Sequence, residues 1–262
     1  MHRYLIRSTV GLGLSLGVLI AGVAGAGAAP LAATSATVVA ASSTSATAGA
    51  FATSPTIATD PVAVKWLRAL EQRHRDHRRA SGEFRQTKSD PVFLEEIRAM
   101  GRFYYERPNK FRCDYDKPEA STNWVIGYVV TLYFPEFKQV ERYRMSREGS
   151  GIGDVNQMLL AFGIETDRVL KHFTVTSDPA TSANVVRLIF VPKAPRQERP
   201  FARFVLELSK PDLTPRRFVI TGDEPDQTTV VEIMEIKWND PSMPADIFQL
   251  KVPRDVDIIE EE

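Results

Sequence analysis

The sequence is short of reactive side chains. Its 262 residues include one cysteine, Cys113, and four histidines. A lone thiol excludes an internal disulfide, so the fold must rest on burial. Cys113 sits mid-strand between Phe111 and Tyr115 and reads as a small buried hydrophobe, not a nucleophile. His2 lies at the amino end and His74 and His77 in a basic run, which leaves His172 alone near the strand-rich part, so local spacing assembles no histidine metal cluster. Beyond residue 60 there is no Gly-x-Ser-x-Gly elbow, and no His-Glu-x-x-His occurs. Gly149-Ser-Gly-Ile-Gly153 lacks the Lys-Ser/Thr of a phosphate loop and follows charged Arg147 and Glu148, so it reads as the entry to a helix. Acidic pairs such as Glu95-Glu96 and Asp223-Glu224 read as solvated turns. An excess of one charge is missing too, with 33 basic and 33 acidic residues; this gives no basis for a nucleic-acid partner. The expectation is a binding protein without catalytic activity, cofactor or metal.

Around residues 1–29 the composition turns one-sided. His2, Arg3 and Arg7 precede the apolar run Val10 to Val23, and Ala24-Gly-Ala-Gly-Ala28 offers small-residue cleavage sites, the pattern of a secretory signal peptide. An uncleaved anchor is the alternative, for which about 20 apolar residues are needed. No cysteine stands at the end of the run and Cys113 is far downstream, so an acceptor thiol for lipid modification is not expected. Residues 30–59 are nearly all Ala, Ser and Thr, too poor in large apolar groups to offset ordering entropy, and read as a disordered linker. Residues 60–254 read as the folded domain and residues 255–262 as a loose acidic tail.

Asp60 as cap and Pro61 at the first helical position start a helix whose stripe is Val62, Trp66, Leu67 and Leu70, ending near the basic run Arg73 to Arg79, which complements the helix dipole. Gly82 to Thr87 is a strand. Phe93 to Met100 fits either helical spacing or an extended lead-in. Phe103 and Tyr105, then Phe111, Cys113 and Tyr115, alternate across a hairpin whose turn holds Pro108 and Asn109. Trp124 to Phe134 gives two strands turned at Gly127, and Gln139 to Met145 continues the pattern. Asp154 to Phe162 reads as a second helix with Val155, Met158, Leu159 and Phe162 on one face, ended by Gly163. Strands at 173–176, 185–191, 204–208, 217–221 and 228–238 follow, and Pro241 to Pro253 holds a closing strand through Phe248, Leu250 and Val252. The fold class is mainly β with α (α+β), a strongly curled antiparallel sheet of about ten strands with the two helical stripes in its mouth. A close-packed core and a ligand cavity are both compatible with this composition.

Gly82-Glu-Phe-Arg-Gln86, Gly101, Glu106-Arg-Pro-Asn-Lys-Phe-Arg-Cys-Asp-Tyr-Asp-Lys-Pro118, Gly127, Leu132-Tyr-Phe-Pro-Glu-Phe-Lys-Gln-Val140 and Asp246-Ile-Phe-Gln-Leu-Lys-Val-Pro253 resemble, in order and spacing, the periplasmic lipoprotein carrier (LolA-like) family. The resemblance covers about residues 61 to 254. It implies an incomplete β-barrel with helices as a lid over a hydrophobic cavity that shields acyl chains in the periplasm. Arg107 matches the family's arginine before proline, which implies a part in holding the lid. The cavity wall is then expected from Phe84, Phe103, Tyr105, Phe111, Tyr115, Leu132, Phe204, Leu206, Met234 and Ile236 on the strands. Trp66, Leu70, Met158, Leu159 and Phe162 are expected from the helices. The implied partners of a monomer are an acylated lipoprotein or another lipid, an inner-membrane ABC transporter as donor and an outer-membrane acceptor. Three features depart from the family pattern: Cys113 stands in place of the usual Trp, Val125-Ile-Gly127 alters a turn, and the linker is long. Another lipid cargo, an envelope sensor, or a structural interaction protein on the same fold therefore stay open.

Overall fold

The computed structural model describes residues 58–261 apart from 90–95, 117, 145–161, 163–164, 179–183, 197–198, 200 and 225. The signal peptide, nearly all of the linker, the glycine loop Gly149 to Gly153, and the second helix except Phe162 lie outside the described residues. Helix α1, Pro61–Arg73, begins as its sequence requires: the Asp60 carboxylate accepts from the Val62 amide at 2.8 Å, with Pro61 in the first turn. Asp60 also accepts from the backbone amide of Ser177 at 3.3 Å and from its hydroxyl, tying the helix start to a strand. Ala63, Leu67 and Leu70 are the buried residues of α1, whereas Val62 is 53% exposed. Val62 therefore stands outside the stripe, because the packed face is centred one residue further on.

Twelve strands form one sheet: β1 (Arg79–Ser89), β2 (Ile97–Glu106), β3 (Lys110–Tyr115), β4 (Ser121–Ile126), β5 (Val129–Phe134), β6 (Gln139–Arg144), β7 (Phe173–Ser177), β8 (Val185–Pro192), β9 (Arg203–Ser209), β10 (Pro215–Thr221), β11 (Thr228–Trp238) and β12 (Asp257–Glu261). Their order is β12-β6-β5-β4-β3-β2-β1-β11-β10-β9-β8-β7. Two antiparallel meanders are thus joined through β1 and β11, and β12 and β7 are free edges among the described residues, so the barrel is not closed. Residues 97–100 belong to β2, which settles their ambiguity in favour of strand. Gly127 occupies the β4–β5 turn with φ of 63°. Asn109 is not among the positive-φ residues, so the β2–β3 turn makes no use of its left-handed tolerance.

Four further expectations change. Residues 248–252 are not a strand; Phe248 is buried in a segment on the side of β3 opposite Phe111, held where Arg112 donates to the Ile247 carbonyl at 2.7 Å. The acidic tail is not loose: Asp257–Glu261 pairs in parallel with β6, and Arg142 meets Glu260 at 2.8 Å. A short helix α2, Thr166–His172, was not foreseen, because its own cap position makes no side-chain bond. Glu71 of α1 supplies the cap instead, accepting from the Thr166 amide at 3.2 Å and its hydroxyl at 2.7 Å. Met234 is 54% exposed because the β1–β11 register slips between Glu83 and Phe84, pairing them with Glu235 and Ile233. The slip leaves Met234 as the extra residue of a bulge, which reverses the alternation on either side of it.

Candidate functional site

The pairings lay out the concave face in cross-strand rows. One runs Trp238, Ala80, Tyr105, Phe111, Val125, Val130 and Tyr143 from β11 to β6, and every member is apolar or aromatic. The next runs Ile236, Gly82, Phe103, Cys113, Asn123, Leu132 and Glu141. A third contains Ile233, Phe84, Gly101, Tyr115 and Ser121, and a fourth Val231, Gln86 and Ala99. Strand periodicity puts each row on one face.

Phe162 sits at the centre of the apolar row. Its ring stacks on Tyr105 at 4.6 Å and lies 5.8 Å from Phe103, 6.3 Å from Phe111 and 5.8 Å, edge-on, from Trp238. Such contacts add to the area they bury. Arg107, in the β2–β3 turn, fixes the backbone around this ring. Its guanidinium donates to the carbonyls of His74 at 2.8 Å, His77 at 3.0 Å and Phe162 at 3.3 Å. One side chain thereby joins the end of α1 to the segment that carries Phe162, a use that suits the fixed fork of arginine.

His74 continues the α1 stripe beyond the helix: Ala63, Leu67, Leu70 and His74 follow helical spacing, and all four are buried. His74 Nε2 donates to the Leu213 carbonyl at 3.1 Å, so in the neutral ring Nδ1 accepts from His77 Nδ1 at 2.9 Å. Both imidazoles pack on Trp238 at 4.5 Å. Burial first, with Arg73, Arg107 and His77 nearby, lowers the His74 pKa to about 4. Burial also lowers that of His77, raises that of Tyr105 to about 12, and pushes Cys113 and Tyr115 well upward. The raised value leaves Cys113 an inert thiol.

Phe103, Tyr105, Phe111 and Phe162 come together in this cluster, Phe84 meets Tyr115 edge-on at 5.2 Å, and Leu132 is buried nearby. Phe204 and Leu206 belong instead to the other meander, where Phe173, Phe190, Phe201, Phe204 and Phe218 form a second ring cluster. Leu70 is buried, Trp66 and Ile236 are partly buried against the core, and Met234 is outside it. Met158 and Leu159 lie outside the described residues. Sequence reasoning missed Trp238 and the His74–His77 pair as members of the site; the helical spacing of Leu67, Leu70 and His74 was the signal for the latter. A cleft of about 510 Å³ opens where β1, β2 and the β3–β4 loop meet, lined by residues that include Arg85, Arg98, Met100, Asp116 and Glu119. Its mixed lining sets it apart from the aromatic face.

Residues 75–251 match the family model described as outer membrane lipoprotein carrier protein LolA. A curated outer-membrane lipoprotein carrier protein from Nitrosomonas europaea is 32% identical over 178 residues, covering 67% of this chain and 80% of that protein. Another from Methylobacillus flagellatus is 28% identical, covering 68% and 80%. Among solved structures, an uncharacterized conserved protein from Thermus thermophilus aligns with a TM-score of 0.48 at 12% identity, covering 75% of this chain and 98% of that one.

Proposed function

The chain belongs to the outer membrane lipoprotein carrier (LolA) family, and from that premise we propose that it carries acylated lipoprotein across the periplasm with the acyl chains against its concave aromatic face. The observation that supports this reading most is the placement of Phe162. Its ring occupies the middle of the apolar row, and its backbone is held by Arg107, which also holds the end of α1. Each buried CH₂ of an acyl chain contributes roughly 0.8 kcal/mol, enough for chains to take the ring's place. Loading then requires Phe162 to withdraw and the Arg107 bonds to break, so Arg107 sets the balance between a closed empty form and an open loaded one. An inner-membrane transporter as donor and an outer-membrane receptor as acceptor complete the proposed route.

Arg107→Leu tests this. Bonds from a charged donor contribute roughly 1.5–3 kcal/mol each, and here they stabilise only the closed form. The variant is expected to load a fluorescent acyl probe more readily and to release it to acceptor vesicles at least about tenfold more slowly. Arg107→Lys, which keeps the charge but cannot fork, is expected to fall between the two. Unchanged uptake and release in Arg107→Leu would remove Arg107 from lid control.

A further inference from the structure

Polarity on the concave face is graded along the strands. The row nearest the Arg107 turn has no polar member but the Tyr105 hydroxyl, the Tyr143 hydroxyl and the indole of Trp238, all at the tips of aromatic bodies. Further from that turn the side chains change character: Asn123 and Glu141 enter the second row, Tyr115 and Ser121 the third, and Gln86 the fourth. Gln86 and Asn123 are each 2% exposed and Ser121 7%. Burying amides in a container for hydrocarbon alone is costly unless they find partners. Tyr115 donates to Gln86 Oε1 at 3.1 Å, which occupies the acceptor side of that amide. The Gln86 NH₂ makes no hydrogen bond among the described residues, so this end of the face offers a donor. A donor in a lipid container fits a neutral carbonyl.

Resting on the carrier reading, we infer that Gln86 and Ser121 recognise the ester or amide carbonyls that link acyl chains to their carrier molecule, while the aromatic row takes the chains. The ligand class is an acyl ester or acyl amide, and a bare hydrocarbon or an ether lipid, which offers no carbonyl, is a poorer fit. This makes Gln86 and Ser121 specificity residues separate from the Arg107 hub.

The test is displacement of a fluorescent acyl probe from the full-length protein by dipalmitoylglycerol, by its diether analogue, by a synthetic dipalmitoylglyceryl-cysteine lipopeptide and by palmitate, all in the same detergent. One carbonyl hydrogen bond corresponds to about a tenfold preference. The diester and the lipopeptide are each expected to displace the probe at about tenfold lower concentration than the diether, and the stronger of the two identifies a membrane glycerolipid or a lipoprotein as the source. In Gln86→Leu with Ser121→Ala that preference is expected to fall to about unity, while displacement by the diether, which reports an intact fold, stays unchanged. Equal potency of ester and ether on the unaltered protein, or an undiminished ester preference in the variant, overturns the assignment and leaves the carrier reading standing. Failure of the probe and every competitor to bind overturns both.

Discussion

Replacing Gly101 by valine is expected to cost about 3 kcal/mol or more and to leave little soluble protein. Gly101 lies in the middle of β2, paired with Phe84 on β1 and Tyr115 on β3. A Cβ there would stand 2.1 Å from the Asp114 carbonyl oxygen and 3.1 Å from the Phe84 ring. The first contact is with backbone of the next strand and cannot be relieved by turning a side chain. Overpacking alone costs roughly 1–3 kcal/mol, and displaced sheet backbone adds to that. A domain of this size has about 5–15 kcal/mol to lose. Equilibrium urea unfolding of Gly101→Val against the unaltered protein measures the difference. A midpoint within experimental error of the original would show that β2 and β3 are not this close.

The second large effect is a loss of stability on mild acidification. His74 has a pKa of about 4 in the fold against an ordinary 6.5, because burial disfavours its charged form. Above pH 6.5 neither the folded nor the unfolded chain binds the extra proton, and the contribution of neutral His74 is complete. As pH falls from 6.5 towards 4 the unfolded chain takes up a proton that the folded chain refuses, so stability falls, by about 1.4 kcal/mol per pH unit and on the order of 3 kcal/mol in all. His77, also lowered, acts in the same direction. Protonating both rings also places two N–H groups in opposition where one hydrogen bond stood. Unfolding free energies at pH 7, 6 and 5 should therefore decline, and His74→Phe, which can still pack on Trp238, should flatten the decline. This window lies above the range in which Asp60 and Asp240, whose pKa values are lowered, lose the stability their charged forms contribute.

Much of this was legible where structure is local. The hairpin of β2 and β3 pairs without a slip from Glu106–Lys110 to Gly101–Tyr115, so period-two alternation placed Phe103, Tyr105, Phe111 and Tyr115 on one buried face. Met234 was misplaced because its bulge is set by the partner strand β1, which leaves no mark in the local pattern. α2 was hidden for a similar reason, since its cap is Glu71, distant in sequence. The tail reads as solvated because it is acidic, yet Arg142 and Lys138 on and beside β6 answer Glu260 and Asp255. Of the candidate site, the sequence pattern and family resemblance named Arg107 and Phe162, which the structure brings together. What they could not supply was the meeting of the Arg107 fork with carbonyls, because backbone acceptors carry no residue signature. The polar end of the concave face was equally invisible, since Gln86, Ser121 and Asn123 lie on separate strands and only register brings their rows together.

The most direct test of carriage is to incubate the purified protein with membrane vesicles that hold a triacylated lipoprotein and its unacylated variant, supply the donor transporter and ATP, and sediment the membranes. The acylated lipoprotein should remain in the supernatant in an equimolar complex with this protein while the unacylated variant fails to co-purify with it. No soluble complex, or equal capture of both forms, would contradict a carrier that works by enclosing acyl chains.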